Sequence, residues 1–253
     1  MQNPDAHTPQ TAQPRVPDGR RVYAIGDVHG RLDLLNRLLA RIEDDAARHA
    51  PSAFSLVFLG DYVDRGPHSR GVVERLMAGP PSTGPLAGAE WRCLKGNHEE
   101  FLIRFLDEPM QGGAWCRNGG IETVRSYAGP LPEDMEGDLA ALQLALSRAM
   151  PPSHVRFLAR LPLTHREGDY LFVHAGIRPG VALEDQEPSD LLWIRDDFLF
   201  DSSPLGVTVV HGHTPGSVPE IRTNRIGIDT GAYYSGTLTA LVLDGSDMKF
   251  LVS

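Results

Sequence analysis

The chain has 253 residues, 41% hydrophobic and 23% charged, with 24 Lys+Arg against 33 Asp+Glu for a net charge of −9. That length and mixture suit one large globular domain with a buried core, and the acidic balance argues against broad nucleic-acid binding, which shows as excess positive charge. No apolar run is long enough to span a bilayer, no basic region followed by an apolar stretch opens the chain, and the two cysteines, Cys93 and Cys116, cannot build a disulfide framework. A cytoplasmic protein with neither membrane nor nucleic-acid partners is therefore expected.

Residues 1–19 carry Pro4, Pro9, Pro14 and Pro17 and few large apolar side chains. They are expected to form a disordered tail, with the ordered domain running from 20 to 253. One unit then recurs three times: a short apolar run, a polar loop containing glycine, and an amphipathic helix. The runs lie at 21–25, 54–59 and 91–94. The first helix places Leu32, Leu35, Leu38, Leu39 and Ile42 on one face. The second, from Ser69, does the same with Val72, Val73, Leu76 and Met77, and the third carries Phe101, Leu102 and Phe105. Those offsets follow the helical period, and the alternation predicts βαβ units.

Residues 80–88 read as a Pro/Gly-rich loop. Residues 107–160 break the pattern, with a Gly-rich stretch, a helical pattern over 134–150 and a further short helix opened by Pro151-Pro152. A helical cap over the sheet end is expected there. The last third alternates strands and turns: 161–166 and 170–173 around Glu167-Gly168-Asp169, a buried strand at 207–210, 221–223 and 226–229 around Asn224-Arg225, and 238–243 and 248–252 around Asp244-Gly245. Such spacing favours antiparallel hairpins. The predicted fold class is α/β: a mixed β-sandwich flanked by helices, with the cap inserted.

The loops that close the apolar runs share a composition. They read Gly26-Asp27-Val28-His29-Gly30, Gly60-Asp61-Tyr62-Val63-Asp64-Arg65-Gly66, Gly96-Asn97-His98-Glu99, His174-Ala175-Gly176 and His211-Gly212-His213, and they hold five of the ten histidines. Ligands of open α/β sheets bind at the carboxyl ends of strands, which would bring all five loops to one edge. Asp, His and Asn supply oxygen and imidazole nitrogen, a set suited to Mn, Fe or Zn, whereas Ca would want oxygens alone. Asp27 and His29, two apart in an extended segment, point the same way. A carboxylate such as Asp61 can bridge two cations, and two ions ~3.5–4 Å apart can activate water for an in-line displacement on phosphorus. A lone Asp-x-His is more often a turn than a ligand pair, and Asp64 and Arg65 alone would pass for surface charge. Five such loops after successive strands point instead to one site. There is no Gly-x-Ser-x-Gly elbow and no P-loop, and Cys93 and Cys116 are expected to pack as small hydrophobes.

The ordered series GDVHG, GDYVDRG, GNHE, HAG and GHT resembles the phosphoprotein phosphatase (PPP) family of the calcineurin-like metallophosphoesterase superfamily, in particular its bacterial and phage members, over roughly residues 20–243. Leu191-Leu192-Trp193-Ile194-Arg195, Ile228-Asp229-Thr230-Gly231-Ala232, Trp115, Asn118-Gly119-Gly120 and Thr123 through Tyr127 extend the likeness. The resemblance implies that Asp27 and His29 bind a first metal, that Asp61 bridges, and that Asn97, His174 and His213 complete a second metal site. It implies that Arg65 and Arg195, with Asn97, hold the phosphate oxygens, and that His98 is the general acid, oriented by Asp64. Two divalent ions are implied, Mn first with Fe or Zn as substitutes, and a metal-bound hydroxide as nucleophile. The chemistry agrees, because phosphoryl transfer depends mostly on positioning and electrostatics, and an arginine fork grips two phosphate oxygens where lysine cannot. His211, two residues before His213, either touches the site or is a buried, hydrogen-bonded ring. Asp229 is expected to orient a neighbour, and Trp115 and Asn118 either line the substrate groove or pack within the cap.

The activity expected first is hydrolysis of phosphoserine and phosphothreonine in proteins, with phosphotyrosine as an extension, so a phosphoprotein or phosphopeptide is the expected partner. The alternative is pyrophosphohydrolysis of dinucleoside polyphosphates such as diadenosine tetraphosphate, because a bacterial relative with that activity shares the motif series. A nuclease of the wider superfamily would carry Gly-His-x-His, and Gly212-His213-Thr214-Pro215 puts a proline, which cannot ligate, at the last position. A non-catalytic, metal-loaded phosphate-binding module would lack the acid or a ligand, and this chain has both.

Overall fold

Strand β1 (Arg20–Ile25) sends Val22 and Ala24 to one face and Tyr23 and Ile25 to the other, and all four are fully buried. Alternation along a strand means that such a segment must be covered on both sides. The computed structural model, which describes residues 13–49 and 53–253, shows what covers it. β2 (Ala53–Phe58) and β3 (Glu90–Cys93) run parallel to β1, while β9 (Thr239–Asp244) and β10 (Asp247–Val252) add antiparallel strands, giving the order β10-β9-β1-β2-β3. A second sheet holds β4 (Thr164–Glu167), β5 (Tyr170–Val173), β6 (Thr208–His211), β7 (Glu220–Ile221) and β8 (Arg225–Gly227) in the order β4-β5-β6-β8-β7, with β5, β6 and β8 parallel.

Val22 and Ala24 meet Val57, Phe172, Val210 and Ile226 between the two sheets. Tyr23 and Ile25 face α1 (Leu32–Ala46), α2 (Ser69–Met77) and α3 (Asn97–Asp107), whose Leu34, Leu38, Val72 and Leu102 fill the other side. On the far face of the second sheet, Leu171, Val173 and Val209 lie under Leu191, Ile194 and Phe198. The result is the expected α/β fold with two mixed sheets flanked by helices. Cys93 and Cys116 are buried free thiols in the helix-side core.

The helices Ile121–Ala128, Leu139–Ala149 and Pro152–Ala159 place Val124, Leu142, Leu146 and Leu158 in the same core as α1 and α2. This part of 107–160 therefore thickens the helical layer, and Trp115, Gly119 and Thr123 reach from it to Asp64 and Arg65. The expected tail needs correction over 13–19. Val16 is fully buried between the sheets and its N–H donates to the Gly245 carbonyl at 3.0 Å. The Arg15 N–H donates to Asp169 Oδ2 at 2.9 Å. One apolar anchor and backbone bonds to two turns order a segment whose composition alone cannot. Residues 1–12 lie outside the described residues. Among the described residues no helix is long and apolar enough to cross a membrane.

Candidate active site

Each candidate loop leaves the carboxyl end of a parallel strand, and the loops hold one another. The N–H groups of Val28 and His29 donate to the Asp61 carbonyl at 3.1 and 2.8 Å, and that of Gly30 donates to the Tyr62 carbonyl at 2.8 Å. Glycine is needed at the crossing, since a Cβ on Gly66 would stand 2.2 Å from the His29 carbonyl oxygen. Among the described residues, five other than glycine have positive φ: His29, Asp61, Asp64, Arg65 and His213. All five are candidate site residues, and such strained backbone persists only where surrounding contacts enforce it.

Asp61 lies at the centre. Its Oδ1 is 3.4 Å from His174 Nε2, and its Oδ2 is 3.5 Å from His29 Nε2. Two triplets of donor atoms lie within 4.8 Å of one another, His29 with Asp61 and His98, and Asp61 with His174 and His213. Asp61 belongs to both. Asp27 stands close by, its Oδ2 accepting the His213 N–H at 3.0 Å while its Oδ1 is buried without a partner. Asn97 Oδ1 lies 2.8 Å from His174 Nε2 and 2.9 Å from His213 Nδ1.

The arrangement fits cations. His174 Nδ1 faces the Leu59 carbonyl oxygen at 3.0 Å and its Nε2 faces Asn97 Oδ1. A neutral ring has one N–H, so one of these nitrogens must turn a lone pair toward an oxygen. Burial keeps the rings neutral, pushing His29 down to about 3 and His213 down to about 2, and lowering His174. Burial together with Asp229 and Asp61 lifts the Asp27 carboxyl well above its ordinary range, and burial pushes Asp229 up to about 6. Crowded carboxylates, bare imidazole nitrogens and the orphaned Asp27 Oδ1 and His213 Nε2 are all relieved by bound divalent ions.

Asp64 is fully buried and its carboxylate accepts from three side chains: His98 Nδ1 at 2.6 Å, Trp115 Nε1 at 2.8 Å and Thr123 Oγ1 at 2.6 Å. Burial works against a charged His98, but Asp61 and Asp64 outweigh it and raise the ring above its ordinary value. Arg65 lies with its terminal nitrogens 3.1 Å from His29 Nε2 and 3.2 Å from His98 Nε2, and its guanidinium stacks 4.8 Å from the Tyr233 ring centre. Arg195 is exposed at the rim, where Nη1 donates to Thr214 Oγ1 at 3.0 Å.

The structure thus gathers Asp27, His29, Asp61, Asp64, Arg65, Asn97, His98, His174 and His213 in one cluster, with Arg195 at its edge. Trp115 is buried behind Asp64, and Asn118 is exposed and donates to the Ala114 carbonyl in its own turn. His211 is buried and hydrogen-bonded to the Gly212 carbonyl. Sequence reasoning gave no role to Glu99, whose carboxylate takes four backbone N–H groups. It also missed Tyr233, which sits over Arg65 with its ring centre 5.6 Å from that of His29. An aromatic pair directly after the Asp229-Thr230-Gly231 turn was the available signal.

A β-sandwich that gathers Asp, His and Asn from successive strand ends into one buried cluster defines a metal-dependent phosphoester hydrolase. The chain belongs to the calcineurin-like phosphoesterase family, which it matches over residues 20–250. Members carry a dinuclear metal centre, and the donors gathered around Asp61, namely Asp27, His29, Asn97, His174 and His213, are this chain's candidates for it. It is 28% identical to a bis(5'-nucleosyl)-tetraphosphatase PrpE [asymmetrical] of Halalkalibacterium halodurans, over 86% of this chain and 87% of the relative. Two crystal structures share the fold. One, assigned provisionally as a diadenosine tetraphosphatase, is 22% identical with a TM-score of 0.62, covering 92% of this chain and 93% of the other. The second, a cold-active protein tyrosine phosphatase of a psychrophilic Shewanella, is 16% identical with a TM-score of 0.53, covering 94% and 83%.

Proposed function

We infer that the chain hydrolyses dinucleoside tetraphosphates asymmetrically. The observation that carries this reading is the relative named for that activity, aligned over 86% of this chain and 87% of its own length, so that the surroundings of the centre are compared along with the motifs. This moves the alternative of the sequence analysis ahead of the protein phosphatase.

In this reading Asp27, His29 and Asp61 would hold one ion, and Asp61, Asn97, His174 and His213 would hold the other. When bound, the two divalent ions, Mn with Fe or Zn as substitutes, supply an activated water and offset phosphate charge. Arg65 and Arg195, with the Asn97 amide, grip the oxygens of the attacked phosphate. Asp64 keeps the Nδ1 proton of His98, so Nε2 is the atom that delivers a proton to the departing bridge oxygen. Water adds to phosphorus, one P–O–P bond breaks, and a nucleoside monophosphate and a nucleoside triphosphate leave.

The serine/threonine phosphatase reading keeps the support of the motif series and uses the same residues. Side-by-side kinetics on diadenosine tetraphosphate and a phosphopeptide test the choice, with metal content measured. Much faster turnover of the dinucleotide is expected, and faster turnover of the phosphopeptide would reverse the assignment.

A further inference from the structure

The Asp64 carboxylate is held from two directions. His98 Nδ1 meets its Oδ2 at 2.6 Å from the side of the candidate metal centre. From the helical layer, Trp115 Nε1 donates to the same Oδ2 at 2.8 Å and Thr123 Oγ1 donates to Oδ1 at 2.6 Å. Thr123 Oγ1 also accepts the Asp64 N–H at 2.8 Å, which helps to fix a backbone whose φ is 71°. Trp115, Thr123 and Asp64 are all buried, and neither Trp115 nor Thr123 belongs to a strand-end loop.

The local fold brings both donors to one carboxylate. The helical segments Gly113–Trp115 and Ile121–Ala128 are joined by a wide π-type turn, Cys116–Gly120, of a kind that recurs at functional sites. Gly119 has a φ of 101° and its carbonyl accepts the Arg65 N–H at 3.1 Å, whereas a Cβ there would stand 2.6 Å from that nitrogen. A Cβ on Gly120 would collide with the Trp115 indole, which packs on Phe105 with ring centres 4.5 Å apart. Packing explains where the indole sits. It does not explain why the indole N–H and a hydroxyl eight residues further on share the carboxylate that holds His98.

An ionised carboxylate accepts at about four lone-pair positions and turns about two side-chain bonds. Donors on both of its oxygens fix its plane and leave a lone pair of Oδ2 directed at His98 Nδ1. The direction of the ring, and so of the Nε2 proton, follows from that plane. We propose that Trp115 and Thr123 are positioning residues for the proton donor, acting on His98 through Asp64. The proposal rests on the reading of His98 as the general acid and is independent of which phosphate ester is the substrate.

The test uses the full chain loaded with Zn, and two readouts. Thr123→Val removes the hydroxyl at nearly constant shape, Thr123→Ser keeps it, and Trp115→Phe removes the N–H but keeps an aromatic ring against Phe105. In proton NMR the parent should show a far-downfield, slowly exchanging His98 Nδ1–H resonance, identified by its loss in His98→Asn. Thr123→Val and Trp115→Phe should displace or broaden it, and Thr123→Ser should retain it. On whichever of diadenosine tetraphosphate and a phosphopeptide the parent hydrolyses faster, kcat should fall about 10–100-fold in Thr123→Val and Trp115→Phe and recover in Thr123→Ser, with KM and metal content near parental values. Should Thr123→Val not fold, Trp115→Phe decides. A parent without the resonance, variants that keep it, or a Thr123→Ser variant as slow as Thr123→Val would overturn the proposal. So would parental kcat in the variants of a protein that His98→Asn makes slow. A displaced resonance with parental kcat, in a protein that His98→Asn leaves equally fast, would uphold the positioning and refute the acid role of His98.

Discussion

Replacing Glu99 with glutamine tests whether the centre is held by its supports as well as by its ligands. Glu99 is fully buried. Its Oε2 accepts the N–H groups of Asp61 at 2.9 Å and Gly96 at 2.8 Å, and its Oε1 accepts those of Tyr62 at 2.8 Å and Val63 at 3.3 Å. Glu99→Gln keeps the volume but replaces one oxygen with an amide NH2 group. Whichever way the amide rotates, two backbone donors then face a donor. Two lost bonds and two buried N–H groups left unpaired cost about 2–4 kcal/mol. At ~2–4 °C per kcal/mol for a domain of this size, the melting temperature should fall by about 5–15 °C. Asp61 has a φ of 50° and loses one of its anchors, so metal content should fall as well. Calorimetry on metal-free protein measures the first effect, and elemental analysis after dialysis against Mn measures the second. A variant that melts within about 2 °C of the parent and loads a full complement of metal would refute the reasoning.

Asp61→Asn should abolish metal loading and turnover together, because Asp61 alone belongs to both donor triplets; retention of two ions per chain would remove it from the bridging place. His98→Asn should lower turnover by about 10²–10⁴-fold while the metal content stays at the parental level, and near-normal turnover would take the acid role away from His98. Chelation should inactivate the enzyme and Mn should restore it, so full activity after exhaustive chelation would contradict a metal-dependent step. Far from the site, burial would raise the Asp45 carboxyl, but hydrogen bonds from Lys249, Arg21 and Tyr23 overrule it and bring it down to about 2. A depressed acid stabilises the fold above its unfolded value of about 4, and that contribution disappears as pH falls toward 2. Asp45→Asn should therefore melt well below the parent at pH 6, with the gap closing between pH 4 and 2; a gap that ignores pH would exclude this pairing as its source.

What could be read from the sequence, and what could not, follows from the range of the interactions. The three strand–loop–helix units were legible because apolar runs and helical periodicity are local properties. The metal-ligand candidates were legible because Asp27, Asp61, Asn97, His174 and His213 each follow an apolar run, and strand ends gather at one edge. Val16 was not, since its order comes from backbone bonds to turns around Asp169 and Gly245 that composition cannot foresee. Nor was the parallel order of β5, β6 and β8, which depends on crossovers, whereas the turns around 168 and 245 announced their own hairpins. Trp115 and Thr123 meet Asp64 across 51 and 59 residues of sequence, and no spacing encodes those contacts. Glu99 was visible as a letter in a motif, but its partners are main-chain N–H groups of other loops, which carry no side-chain signature. The five positive-φ residues tie these cases together. Holding His29, Asp61, Asp64, Arg65 and His213 in that region costs on the order of 1–3 kcal/mol each, and the visible ligands do not supply it. The bonds of Glu99 to the Asp61 loop, and those of Thr123 and Ser69 to the Asp64 N–H at 2.8 and 3.0 Å, help to offset it. Residues that bind by their own chemistry can be recognised from type and position, whereas residues that stabilise another segment's backbone become recognisable only once that backbone has been placed.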